Sequence, residues 1–64
     1  MSNDQKLEFY GLYKQATVGD NHTQRPGMFD PKGGAKWDAW HAKEGMAQDE
    51  AKEAYAKLAN ELFP

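Results

Sequence analysis

The chain contains no cysteine, which excludes disulfides and thiolate zinc sites and is compatible with a reducing compartment. Its one serine, Ser2, lies at a chain end, and neither His22 nor His41 has a sequence-near partner that would build a nucleophile–base pair. An enzyme is therefore not expected. No apolar run approaches membrane-spanning length, and Met1-Ser2-Asn3-Asp4 lacks the basic, apolar pattern of a signal peptide. These absences point to a soluble cytoplasmic protein with no stable membrane insertion. Asp20, His22 and Asp30 are loop residues of the type that forms solvent-facing turns, so neither a metal site nor a cofactor is expected.

What is present is short and mixed in charge. Sixty-four residues make one domain at most, and at this size a single core is marginal because a short chain buries a smaller fraction of its surface. A net charge of −2 argues against general nucleic-acid binding. Its distribution says more. Between Lys14 and Lys36, the cations Lys14, Arg25, Lys32 and Lys36 outnumber Asp20 and Asp30, a local +2. Residues 37–64 carry six acids against three lysines, a local −3. A basic middle in an acidic chain suits a small phosphorylated ligand better than a polyanion.

Periodicity predicts an all-α fold: a small bundle of three helices with a long loop between the first two. The first helix begins near Asn3 or Asp4, residues suited to N-capping, and runs to about Thr17. At about 100° per residue, Phe9, Leu12 and Ala16 share one face, a core stripe. Tyr10, Lys14 and Thr17 share another, with Tyr13 between the two. The second face mixes aromatic and cationic groups, which a structural stripe seldom needs. Residues 18–32 show no clear period and contain the turn signals Gly19-Asp20, Pro26-Gly27 and Asp30-Pro31. Met28 and Phe29 are expected to pin this loop to the core. The second helix is expected from Gly33 or Gly34 to Glu44 with Gly45 as its C-cap. The third runs from Gln48 to Leu62 on an apolar stripe of Ala51, Ala54, Tyr55, Leu58 and Leu62. Ala47 stands where its hydroxyl N-cap belongs, at a cost of about 1 kcal/mol.

Three blocks stand out in this pattern: YGLYKQATVGD from Tyr10, RPGM from Arg25 and KGGAKWDAW from Lys32. Their order and spacing resemble the acyl-CoA-binding protein family, whose signature is the YKQAT-x-GD, RPGM and KW-x-AW series. The resemblance runs from about Leu7 to Leu62, and several ordered blocks make it far more specific than one short motif. It implies reversible binding and intracellular carriage of medium- or long-chain acyl-CoA esters. Lysines would hold phosphate, tyrosines would offer flat apolar bodies with hydroxyls, and an apolar groove would take the tail. Position by position it implies Tyr10, Tyr13, Lys14, Lys36 and Tyr55 as ligand-binding residues. Lys32, a loop lysine beside Gly33, joins them as a sixth candidate. Trp37 and Trp40 are assigned to the core, and Arg25 to tying the loop together.

The chain departs from the resembled pattern at several places. The family often has lysine where Gly34 stands, and an apolar residue where Lys6 stands, near the path of the ligand's tail. Its members usually carry one more helix before the segment that starts at Ser2, so residues 1–64 read as a single domain of this kind, N-terminally truncated. In the family that helix packs on the last one and borders the acyl groove. The alternative reading is accordingly a truncated or engineered helical scaffold that has lost its ligand and binds a protein partner or self-associates. The stripe of the third helix is wide enough for two neighbours, and self-association into a homo-oligomer is the expected way of covering it.

Overall fold

The computed structural model describes all residues 1–64 and contains three helices, α1 (Asn3–Thr17), α2 (Pro31–His41) and α3 (Gln48–Leu62), with no strand. The all-α class, the helix count and the long first connection agree with the periodicity. The boundaries differ where caps decide them. At α1 the cap is Ser2 rather than Asn3 or Asp4. Its Oγ accepts from the Gln5 N–H at 3.2 Å, and the Gln5 Oε1 accepts from the Ser2 N–H at 2.8 Å. This reciprocal capping box satisfies two donors that the first turn leaves open.

At α2 the start moves back from Gly33 or Gly34 to Pro31. Asp30 and Pro31 form no separate turn. The Asp30 side chain caps the helix by accepting from the Gly33 N–H at 3.0 Å, and Pro31 takes a first-turn position where its missing N–H costs nothing. The helix ends at His41, short of Glu44, with Ala42 as its C-cap. Gly45 is not that cap; it sits at the end of the following turns with φ +87°, a backbone that favours glycine. The bounds of α3 are those expected, and Ala47 makes no side-chain cap bond.

α1 lies in the middle, packed on α2 along one side and α3 along the other, while α2 and α3 do not pack on each other. The result is a thin layer with extents of 37 × 25 × 13 Å. So flat a shape leaves only 8 of 64 residues buried, which keeps the core small. Leu12, Ala16 and Ala51 fill the α1–α3 contact and Trp40 the α2 side. Gly11 permits a close approach of α1 to α2: a Cβ there would lie 2.4 Å from the Ala39 carbonyl oxygen.

The most buried large side chain is polar. Gln15 is 1% exposed, and its Nε2 donates to Asp20 Oδ1 at 2.8 Å and to the Met46 carbonyl at 2.7 Å. Asp20 Oδ1 also accepts from the Gly45 N–H at 2.9 Å, so one glutamine and one aspartate bind α1 to both connections. The same contacts, first the Gln15 amide and then the Gly45 N–H, hold the Asp20 carboxyl below the usual carboxylate range.

The loop of residues 18–30 is not pinned by Met28 and Phe29, which are 83% and 96% exposed. Polar anchors do that work from α2. Trp37 Nε1 donates to the Thr23 carbonyl at 2.9 Å, and Trp40 Nε1 donates to the Gly19 carbonyl at 2.7 Å. Arg25 forks onto Asp38, Nε to Oδ1 at 3.0 Å and Nη2 to Oδ2 at 2.9 Å. With its loop carbonyls and guanidinium already claimed, the segment has no need of an apolar pin.

Candidate functional site

The spacing of α1 spreads its exposed face across the layer. At about 100° per residue, Phe9, Tyr13, Lys6, Tyr10 and Lys14 follow one another from the α3 side to the α2 side. Phe9 meets Tyr55 of α3 edge-on, with ring centroids 5.2 Å apart. At the other edge, the Lys14 ammonium lies 4.6 Å from the centre of the Trp40 ring. Lys36, from α2, places its ammonium 5.7 Å from the centre of the Tyr10 ring. Cations at these distances are attracted by the ring faces, which holds the two long side chains over the layer instead of leaving them to wander.

α1 and α2 run parallel, since contacts advance together along both: Gly11 at Ala39, then Lys14 at Trp40. Near the N-terminal ends of both helices a cavity of about 410 Å³ opens between them, lined by Asn3, Lys6 and Leu7 and by Pro31, Lys32, Ala35 and Lys36. Leu7, Ala35 and Pro31 give it an apolar wall, and no carboxylate lines it. The three ion pairs of the molecule, Arg25–Asp38, His41–Glu44 and Lys43–Glu8, involve none of Lys6, Lys14, Lys32 and Lys36. Four ammonium groups with no acidic partner therefore share one side of the α1–α2 contact.

Among the six residues singled out from sequence, Tyr10, Lys14, Lys32 and Lys36 are gathered along α1–α2. Tyr55 stands on the opposite flank, 38% exposed, and Tyr13 between the flanks, 55% exposed. Trp37 and Trp40 divide in role. Trp40 is buried as expected and also carries Lys14 on its face. Trp37 is half-buried and stacks on His41 at 4.6 Å. Arg25 ties the loop as anticipated, and the Asp38 hydrogen bond raises its pKa while lowering that of Asp38. Gly34 is buried beneath that guanidinium, where a Cβ would come within 3.1 Å of Arg25 Nη2. The cavity wall of Leu7, Pro31 and Ala35 was not singled out from sequence. Its only signal was the four-residue spacing of Leu7 to Gly11 and of Ala35 to Ala39, which places small or apolar groups along both facing sides.

No group of three or more His, Cys, Asp or Glu side chains is placed to hold a metal ion, and no helix is long and apolar enough to cross a membrane.

Comparison with known proteins shows the family. The family model described as acyl CoA binding protein matches residues 1–59. "Acyl-CoA-binding protein homolog 1" of Caenorhabditis elegans is 59% identical over 62 residues, 97% of this chain and 72% of that protein. Homolog 3 of the same organism is 56% identical over 62 residues, and the chain spans only 53% of it. The crystal structure of Oryza sativa Acyl-CoA-Binding Protein 2 superposes with a TM-score of 0.95 at 52% identity, covering 97% of this chain and 67% of the rice chain. The chain belongs to the acyl-CoA-binding protein family.

Proposed function

We propose that this chain binds medium- and long-chain acyl-CoA thioesters reversibly and carries them in the cytoplasm without changing a bond. The observation that carries the reading is the pair of ammonium groups, Lys14 over Trp40 and Lys36 over Tyr10, neither paired with a carboxylate, along the α1–α2 contact whose apolar-walled cavity Lys36 lines. Compact ammonium charges suit phosphate, with Lys32 nearby on α2. Tyr10, Tyr13 and Tyr55 offer ring faces and hydroxyls to the rest of the headgroup and to the pantetheine arm. The alkyl tail enters the apolar groove, each buried methylene contributing about 0.8 kcal/mol. Longer chains should thus bind more tightly until the groove is filled.

Carriage rather than catalysis fits the engaged polar side chains. The Ser2 hydroxyl is used in the cap of α1, and His41 stacks on Trp37 beside Glu44. The test is Lys36→Ala, titrated calorimetrically with a long-chain acyl-CoA. Binding should weaken by about 1.5–3 kcal/mol, the range for a hydrogen bond to a charged group. Unfolding should change by no more than about 1 kcal/mol, the scale of an exposed cation–ring contact. Equal affinity in variant and parent would remove Lys36 from the site.

A further inference from the structure

The turn that Met28 and Phe29 occupy is closed without them. The Asp30 N–H donates to the Gly27 carbonyl at 3.0 Å, which makes a β-turn with Met28 and Phe29 at its two corners. Such corners favour Pro, Asp, Asn, Ser and Gly, and their geometry asks for no large apolar group. Yet these are the two most exposed large apolar side chains of the chain, at 83% and 96%. The turn is also braced. Before it, Arg25 forks onto Asp38 of α2, and after it the Asp30 side chain caps α2. Single apolar residues scattered over a surface need no explanation, but two adjacent ones at the corners of a braced turn call for an occupant.

Shape and charge around the turn choose that occupant. A projecting turn offers no groove to a peptide or helix, whereas a bilayer accepts apolar side chains into its headgroup boundary. Asp30, the acid beside the turn, faces the first-turn N–H groups of α2, which offset its charge. Lys32 and Lys36 follow on the first two turns of α2, exposed and in no ion pair. Their attraction to an anionic surface acts across about 8–10 Å of solution, so it asks no direct lipid contact of either lysine.

We propose that the Met28–Phe29 turn is a shallow, reversible docking point on anionic lipid bilayers. Met28 and Phe29 enter the headgroup boundary, and the lysines at the start of α2 add long-range attraction. The inference stands apart from the acyl-CoA reading, since neither Met28 nor Phe29 lines the cavity. Phe29 precedes Pro31 of the cavity wall by two residues, so a docked chain holds the cavity close to the lipid.

The test is co-sedimentation of the parent chain, the double variant Met28→Ser/Phe29→Ser, and Phe29→Trp with vesicles over a range of lipid concentrations. One set of vesicles is phosphatidylcholine alone, the other a mixture with phosphatidylglycerol. The parent should bind the anionic vesicles more tightly than the neutral ones, with the difference shrinking as salt rises. The double variant should bind the anionic vesicles at least about tenfold more weakly, since burying even half of two large apolar side chains supplies that factor. Phe29→Trp should bind like the parent, and its added indole should shift to bluer emission on the vesicles. Circular dichroism should be unchanged, because the turn closes through backbone atoms. Without vesicles, octanoyl-CoA should bind both variants within about twofold of the parent, as expected of surface positions outside the cavity. The proposal is overturned if the parent does not bind anionic vesicles, if the double variant binds them as tightly as the parent, or if the added indole of bound chains stays in water. Octanoyl-CoA affinity lost in the double variant would place the turn in the ligand site and overturn it too. So would a lipid-free fall in mass of the double variant alone, which would give the turn to a second copy of this chain.

Discussion

Two helical glycines receive the same substitution with opposite expected results. Alanine in place of a helix-interior glycine gains about 1 kcal/mol from backbone entropy alone. At Gly34 the new Cβ meets only Arg25 Nη2, at 3.1 Å. That atom is the far end of a long, half-exposed side chain, which can give way by a few tenths of an ångström. Only part of the solvent-exposed Arg25–Asp38 pair is at risk, and exposed pairs contribute little to stability, so Gly34→Ala should leave stability unchanged or raise it by up to about 1 kcal/mol. At Gly11 the Cβ lands 2.4 Å from the Ala39 carbonyl oxygen and 2.9 Å from its carbon. Both are backbone atoms of a packed helix, so α1 and α2 must separate. Overpacking of this kind costs about 1–3 kcal/mol and exceeds the propensity gain in so small a core. Gly11→Ala should lose about 1–2 kcal/mol net, lowering the melting temperature by about 5–15 °C for a domain of this size. Both variants are read by thermal and urea unfolding followed by circular dichroism at one fixed protein concentration. The same separation should loosen Lys36 from Tyr10 and Lys14 from Trp40, and so weaken ligand binding beside the loss of stability. A Gly11→Ala chain as stable as its parent, or a Gly34→Ala chain destabilised equally, would refute the close-approach argument.

Acid should destabilise the fold through Asp20 and Asp38. Both are held below the usual carboxylate range, chiefly by hydrogen bonds from Gln15 and from Arg25 respectively. A depressed folded-state pKa adds stability that is present above the unfolded value and is lost as pH falls through the folded one. The melting temperature should be flat from about pH 7 to pH 5 and fall below about pH 4, with a shallower fall in Asp20→Asn; stability that rises on acidification would contradict this. Self-association is expected through the stripe of α3, where Ala54, Leu58 and Leu62 are only half-buried and Tyr55 is exposed. Mass in solution and melting temperature should both rise across a hundredfold range of concentration, whereas a monomer with a constant melting temperature would show that three helices close their own core.

The helices were legible because their apolar spacing is regular. α3 matched from Gln48 to Leu62 since its stripe fills the whole element. The ends of α1 and α2 were less legible because capping depends on which residue takes an extended backbone, and composition alone does not rank Ser2 against Asn3 or Asp4. Asp30-Pro31 carries both a turn signal and a helix-start signal, and only the Gly33 N–H bond separates them. Burial of Gln15 and exposure of Phe29 run against hydropathy for one reason: the connections are held by hydrogen bonds, which a period search does not see. At the candidate site, residue types announced the cations and rings that lie together on α1 and α2. Which ring lies under which lysine depends on α1 and α2 being parallel and close, a tertiary fact that rests on Gly11.

The most direct measurement is a calorimetric titration of the unmodified chain with palmitoyl-CoA, octanoyl-CoA and free CoA. The proposed lysine contacts to the headgroup and apolar groove for the tail predict saturable binding of all three, with affinity rising steeply from free CoA to the longer thioester at about 0.8 kcal/mol per methylene buried until the groove is full. Negligible binding of all three, or equal affinity for free CoA and palmitoyl-CoA, would contradict the claim that this chain carries acyl-CoA in a groove between its first two helices.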